Sequence, residues 1–158
     1  LDSSALLCVL NGEAGAERVA EALPSAVIGA ANLAEVVTKL RERGLSAEEV
    51  EEVLGGLQLD VRPFTPAQAY ATGHLRPATR ALGLSLGDRA CLALAAELGV
   101  PTMTADQAWS SADVGVKVEV IEGRGAMCEA PHPVSGLLLA PLPISVSGSE
   151  LSKGMPDI

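Results

Sequence analysis

The sequence predicts an α/β domain over residues 1–122, three layers deep (α/β/α) around a central parallel sheet, followed by an irregular tail, residues 123–158. Two observations carry this reading. The apolar runs that read as strands are short and lack strict alternation, as in a parallel sheet covered on both faces. Between them lie helix patterns that open on capping residues and close at glycine. Strand and helix signals alternate up to about Glu122, which implies right-handed crossovers.

The elements follow in order. Leu1 reads as the end of a strand already under way, so further residues are expected before it. A helix pattern begins in "LDSSALL" just past Asp2. Ala26–Gly29 is the next strand. Asn32 with Glu35 reads as a capping box that opens a helix through about Arg43. Ser46 with Glu49 opens another, which ends near Gly55–Gly56. Asp60–Phe64 is a strand. Thr65, Pro66 and Gln68 open a third helix, with proline in its first turn. Ser85 with Asp88 opens a fourth, which ends at Gly99. Pro101–Thr104 and Val116–Ile121 complete the strands. After Gly123 the texture changes: five of the ten prolines fall in the last 36 residues, so no regular element is expected there. The apolar "VSGLLLAPLPISVSG" is interrupted by Pro141 and Pro143.

Composition excludes several functions. The chain has 158 residues, 48% of them hydrophobic, enough for a real core in one domain. Aromatics are 2%, so stacking platforms for single-stranded nucleic acid are scarce. The net charge of −9 gives no bulk grip on phosphate, so an RNA substrate would need local arginines and bound cations. Cys8, Cys91 and Cys128 have no metal-ligand spacing. Cys91 sits in an apolar helix pattern as a small core residue, and a reduced, cytoplasmic setting is expected. No apolar run reaches 18 residues, so no membrane span is expected.

Ligands of an open parallel sheet bind outside the carboxyl ends of its strands. Asp2 follows the first strand and Asp106 the Pro101–Thr104 strand. Glu35 lies at the start of the helix after Ala26–Gly29. Asp88 opens a helix that runs back antiparallel to the next strand, so its start lies beside that strand's end. Four carboxylates therefore converge on one rim. Each has a plainer reading. Glu35 and Asp88 suit helix capping, and Asp2 and Asp106 suit turns. Against this, the helix after Asp88, "ACLALAA", is apolar nearly all round, so Asp88 is enclosed. Glu35 lies opposite the stripe Leu33, Val36, Val37 and Leu40, among small residues. Clustered carboxylates repel, and a divalent cation removes the conflict. An all-oxygen site suits Mg²⁺ or Mn²⁺ and in-line phosphodiester cleavage.

The runs "LDSSALL", "NLAEVVTKLRERG", "LSLGDRACLALA" and "TMTADQAW" stand in the order and spacing of a PIN-domain ribonuclease. The chain resembles that family, and within it the VapC-type toxins, over about residues 1–122. The resemblance places the family's acidic quartet on Asp2, Glu35, Asp88 and Asp106, its hydroxyl residue on Thr104, and its small polar position on Ser3 or Ser4. It implies an Mg²⁺- or Mn²⁺-dependent endoribonuclease acting on structured RNA, usually as a homodimer, with a VapB-like antitoxin as partner. It also implies that Asp2, Asp88 and Asp106 ligate metal, that Glu35 ligates or orients the attacking water, and that Thr104 holds a water or phosphate oxygen.

Other residues carry less. Arg89 suits an RNA phosphate or a structural ion pair. Lys39, Arg41 and Arg43 form a solvated helix end or an RNA path. His74 and His132 read as surface residues, and Trp109 as a core anchor for the turn after Asp106. Arg124 stands between two glycines, where it reaches an acidic pocket only as a minor alternative. Three rivals remain. A phosphoacceptor receiver domain needs a lysine after a late strand, and "TMTADQAW" has none. A haloacid-dehalogenase-like phosphatase needs aspartate where Ser4 stands. A PIN scaffold retained for binding alone would show a broken quartet.

Overall fold

The structure, a computed structural model, describes residues 1–121. The expectations for the tail, with Arg124, Cys128 and His132, concern residues outside that range. Leu1 and Asp2 lead into α1 (Ser3–Leu10), α2 (Ala16–Ala22), β1 (Val27–Gly29), α3 (Ala30–Glu42) and α4 (Ala47–Gly55). Then come β2 (Asp60–Arg62), α5 (Pro66–His74), α6 (Arg76–Thr79), α7 (Leu86–Leu98), β3 (Thr102–Thr104) and β4 (Val118–Val120).

The strands form two parallel pairs. β1 pairs with β2, Ile28 opposite Val61, and β3 pairs with β4, Met103 opposite Glu119. The first two residues lie between the pairs. The Leu1 nitrogen donates to the Val27 carbonyl (2.6 Å) and the Asp2 nitrogen to that of Met103 (3.0 Å). Asp2 therefore stands where the two pairs meet, at the carboxyl end of this short connecting stretch.

Side-chain alternation along β3 shows the layering. Thr102 points toward α7, where its hydroxyl meets the buried Cys91 sulfur at 3.1 Å. Met103 points the other way and packs with Ala5, Cys8, Val19 and Ile121 on the α1–α2 side. Trp109, Leu84, Cys91 and Leu92 fill the α7 side, with Val116 and Val118 against them. A third cluster, Leu6, Ile28, Val36, Leu40 and Val50, joins α1, β1, α3 and α4. This is the expected three-layer α/β/α arrangement. Cys91 and Trp109 are core residues, as their sequence contexts suggest.

The middle of α7 is enclosed as its composition predicts, every residue from Ala90 to Ala95 being buried, but Leu86 and the last turn are exposed and Asp88 is half-buried, not enclosed as expected. Its start carries a complete capping box between Ser85 and Asp88. It stops at Gly99, whose φ of 64° is the left-handed conformation that glycine adopts without steric cost. α4 has the capping box expected of Ser46 and Glu49, and Thr65 caps α5.

Two expectations need correction. α3 begins at Ala30 with Gly29 as its cap, not at Asn32. Asn32 is inside the first turn, so Glu35 is a turn further along than a capping box requires. The Asp60–Phe64 strand, expected to be covered, is a three-residue edge with all its residues exposed. Pro63 has no N–H with which to extend the ladder, and Asp60 and Arg62 pair with each other in solvent at 2.8 Å.

Candidate active site

Asp2 is the centre of the site. It is the N-cap of α1 and only 3% exposed. Its Oδ2 accepts from the Ser4 nitrogen (3.2 Å), the Ser4 hydroxyl (2.6 Å) and the Thr104 hydroxyl (3.0 Å). Its Oδ1 accepts from the Asn32 amide at 3.2 Å. An almost fully buried carboxylate is tolerable because hydrogen bonds replace its water.

The supporting hydroxyls tie the strand end to α1. The Ser4 Oγ also accepts from the Ala105 nitrogen (2.9 Å), and the Thr104 Oγ1 accepts from the Asp106 nitrogen (3.1 Å). These bonds fix the backbone on which Asp106 stands. The Asp106 carboxylate itself is exposed and accepts from the Ala108 nitrogen at 2.9 Å.

Ser3 carries the network to α3. Its hydroxyl donates to Glu35 Oε2 at 2.9 Å. That same oxygen lies against the first turn of α7, so close that a Cβ on Gly87 would stand 2.7 Å from it. Asp88 is the next residue. Its Oδ2 accepts from the Ser85 nitrogen at 2.6 Å, closing the capping box. Glu35 and Asp88 are thus neighbours across the α3–α7 seam, and Asn32, fully buried, donates to the Gly87 carbonyl at 3.2 Å in the same seam.

The electrostatics are those of a crowded anionic site. The Asp88 carboxyl is pushed above its ordinary range, chiefly by burial and further by the negative charges of Asp2 and Asp106. The Ser85 bonds oppose this without cancelling it. Among the described residues, however, no three acidic, histidine or cysteine side chains close on a common centre as a metal shell does. Each aspartate is instead turned toward a local donor. The donor set is all carboxylate and hydroxyl oxygen, which fits Mg²⁺ or Mn²⁺ and not zinc.

The basic residues lie elsewhere. The Arg89 guanidinium is held by the Ser85 (3.1 Å) and Thr72 (3.2 Å) carbonyls, bracing α7 against α5. Lys39 pairs with Glu42, Arg41 donates to the Leu45 carbonyl, and Arg43 bonds Asn11. These three are exposed and lie roughly 10–16 Å along the helix from Asn32, at 1.5 Å per residue. His74 is exposed at the end of α5.

Asn32 is the residue that sequence reasoning assigned to the wrong task. Its position in the sequence held a usable signal. Asn32, Val36 and Leu40 recur every four residues and are the buried face of α3. A polar residue on that stripe points inward and needs buried partners.

The carboxylates stand near the ends of parallel strands, the edge where an α/β domain binds its ligands. The sequence profile of the PIN domain matches residues 1–115, and the chain belongs to that family. PIN domains are generally nucleases that use divalent metal ions, typically Mg²⁺. No curated protein matches the chain.

Proposed function

We propose that the protein is a Mg²⁺- or Mn²⁺-dependent endoribonuclease and the toxin of a VapC–VapB-type pair. One observation carries the reading: buried Asp2 is tied through Asn32 to the turn that bears Asp88, and Glu35 lies against that same turn, where burial first and the charges of Asp2 and Asp106 after it raise the Asp88 carboxyl. A bound cation would relieve the mutual repulsion of these carboxylates. Asp2, Asp88 and Asp106 would hold the ion, with Glu35 as a further ligand or as the group that orients water. The ion would supply a nucleophilic water and charge stabilisation at the phosphate. Ser3 fixes Glu35, while Ser4 and Thr104 fix Asp2. Lys39, Arg41 and Arg43 offer a path for the RNA backbone beyond the acids; Arg89 first serves the fold.

The toxin role, the VapB-like antitoxin and the homodimer rest on the VapC-like motifs, and the reduced, cytoplasmic setting on the cysteine usage. Among the described residues no helix is long and apolar enough to cross a membrane. The rival reading, a PIN scaffold used only for binding, draws on the absence of a closed metal shell among the described side chains. Membership of the PIN family leaves the receiver-domain and phosphatase readings without support. Induced expression tests the toxin reading. Wild type should arrest bacterial growth, Asp88→Asn should not, and the product of a small adjacent upstream gene should relieve the arrest. Equal arrest by both proteins would count against a nuclease toxin.

A further inference from the structure

Asn32 does more than fill the core. Its side chain is fully buried on an otherwise apolar stripe. Two amide hydrogens face three acceptors, each at 3.2 Å: Asp2 Oδ1, Ser3 Oγ and the Gly87 carbonyl. Its Oδ1 has no partner among the described residues and faces Gly29, 3.4 Å from where a Cβ there would stand. The carboxylate fixes this orientation, since a flipped amide would set oxygen against oxygen. An orphaned carbonyl is a cost that leucine would avoid at this position. Packing alone therefore does not account for asparagine here.

We propose that Asn32 is a positioning residue that sets the spacing between Asp2 and Asp88. One N–H holds the Asp2 carboxylate on α1. The Gly87 carbonyl belongs to the residue before Asp88, so the same amide holds the first turn of α7 against α3. Removing it lets that turn, with Asp88, drift from Asp2, while the rest of α7 stays in its apolar sheath. As a statement about catalysis, this rests on the nuclease reading above.

The test uses Asn32→Ala and Asn32→Leu in the full chain; the leucine keeps the branched shape and leaves no cavity. Hydrogen exchange is followed at the Asp88 and Arg89 amides, which bond the Ser85 hydroxyl and carbonyl. Exchange there should quicken by roughly a factor of five to ten, the effect of losing one net hydrogen bond, with no change at Leu92–Leu94. Mn²⁺ affinity should fall by about 10- to 100-fold, the range for residues that orient metal ligands. kcat on RNA should fall with KM nearly constant. A lower melting temperature with wild-type exchange, Mn²⁺ affinity and kcat would overturn the proposal, as would exchange raised evenly along α7. If Asn32→Ala unfolds, Asn32→Leu carries every readout; unfolding of both also overturns a local role. Should wild type neither bind Mn²⁺ nor cut RNA, the nuclease reading fails, and exchange at Asp88 and Arg89 alone decides whether Asn32 holds the turn.

Discussion

Asp88 has a shown role in the fold and a proposed one in the site. It caps α7 through Ser85, and its carboxyl is raised by burial and by the charges of Asp2 and Asp106. A carboxyl raised in the folded state contributes stability that is fully present below its unfolded pKa. That contribution is lost as pH rises through the folded value. Asp88→Asn retains an oxygen for the Ser85 nitrogen and carries no charge. Its melting temperature relative to wild type should therefore rise between pH 4 and pH 7 in metal-free buffer. RNA cleavage should drop on the order of a hundredfold or more, the scale of losing a charge-stabilising group. Thermal melts across pH and single-turnover cleavage measure the two effects. A variant that melts far below wild type at pH 7 would make the cap the main role of Asp88. Thr104→Val removes the hydroxyl between Asp2 and the Asp106 nitrogen without changing shape. It should cost about 1–3 kcal/mol, read by chemical denaturation, because the buried Asp2 carboxylate, the Ser4 hydroxyl and the Asp106 nitrogen each lose a partner. Cleavage should fall by about 10- to 100-fold.

Among the elements, the α3–α7 seam decides the geometry of the site. Gly87→Ala tests it. Alanine in a helix is favoured over glycine by up to about 1 kcal/mol, and Gly87 has no positive φ. Stability should stay level or rise slightly. The new Cβ would collide with Glu35 Oε2, so that flexible side chain must move and cleavage should fall. Unchanged cleavage would separate Glu35 from the reaction. The same seam marks the limit of what the sequence discloses. The capping box of α7 is legible because Ser85 and Asp88 answer each other three residues apart. Asn32 and Glu35 look identical locally, yet the Asn32 partners Asp2 and Gly87 lie 30 and 55 residues away. Only tertiary contact distinguishes an N-cap from a buried tie. α2 escaped notice because its cap, Gly15, offers no side-chain signal, and α6 because it is a four-residue turn. The edge position of β2 depends on which strands pair, which periodicity does not report.

At the scale of the molecule, the apolar surface of α3 and α4 bears on assembly. Val36, Leu40 and Val50 are buried within the chain, so the stripe is partly used by its own core. Leu33, Val37 and Leu54 line a groove of about 680 Å³ with Arg41 and Glu51 beside them. A homodimer built partly on these helices is expected, and light scattering at micromolar concentration should give twice the chain mass. A monomer mass would contradict it. Truncation after Glu122 should leave Mn²⁺ binding and cleavage intact and alter only solubility or assembly. A folded truncate unable to bind Mn²⁺ would place part of the tail in the site.

Asp2, Glu35, Asp88 and Asp106 are proposed to form a metal-dependent nuclease centre. The decisive measurement follows cleavage of a structured RNA by the purified full chain, first in Mg²⁺ or Mn²⁺ and then in excess EDTA. Cleavage should stop in the chelator and return when Mn²⁺ is restored in excess. Undiminished cleavage in EDTA would contradict the claim.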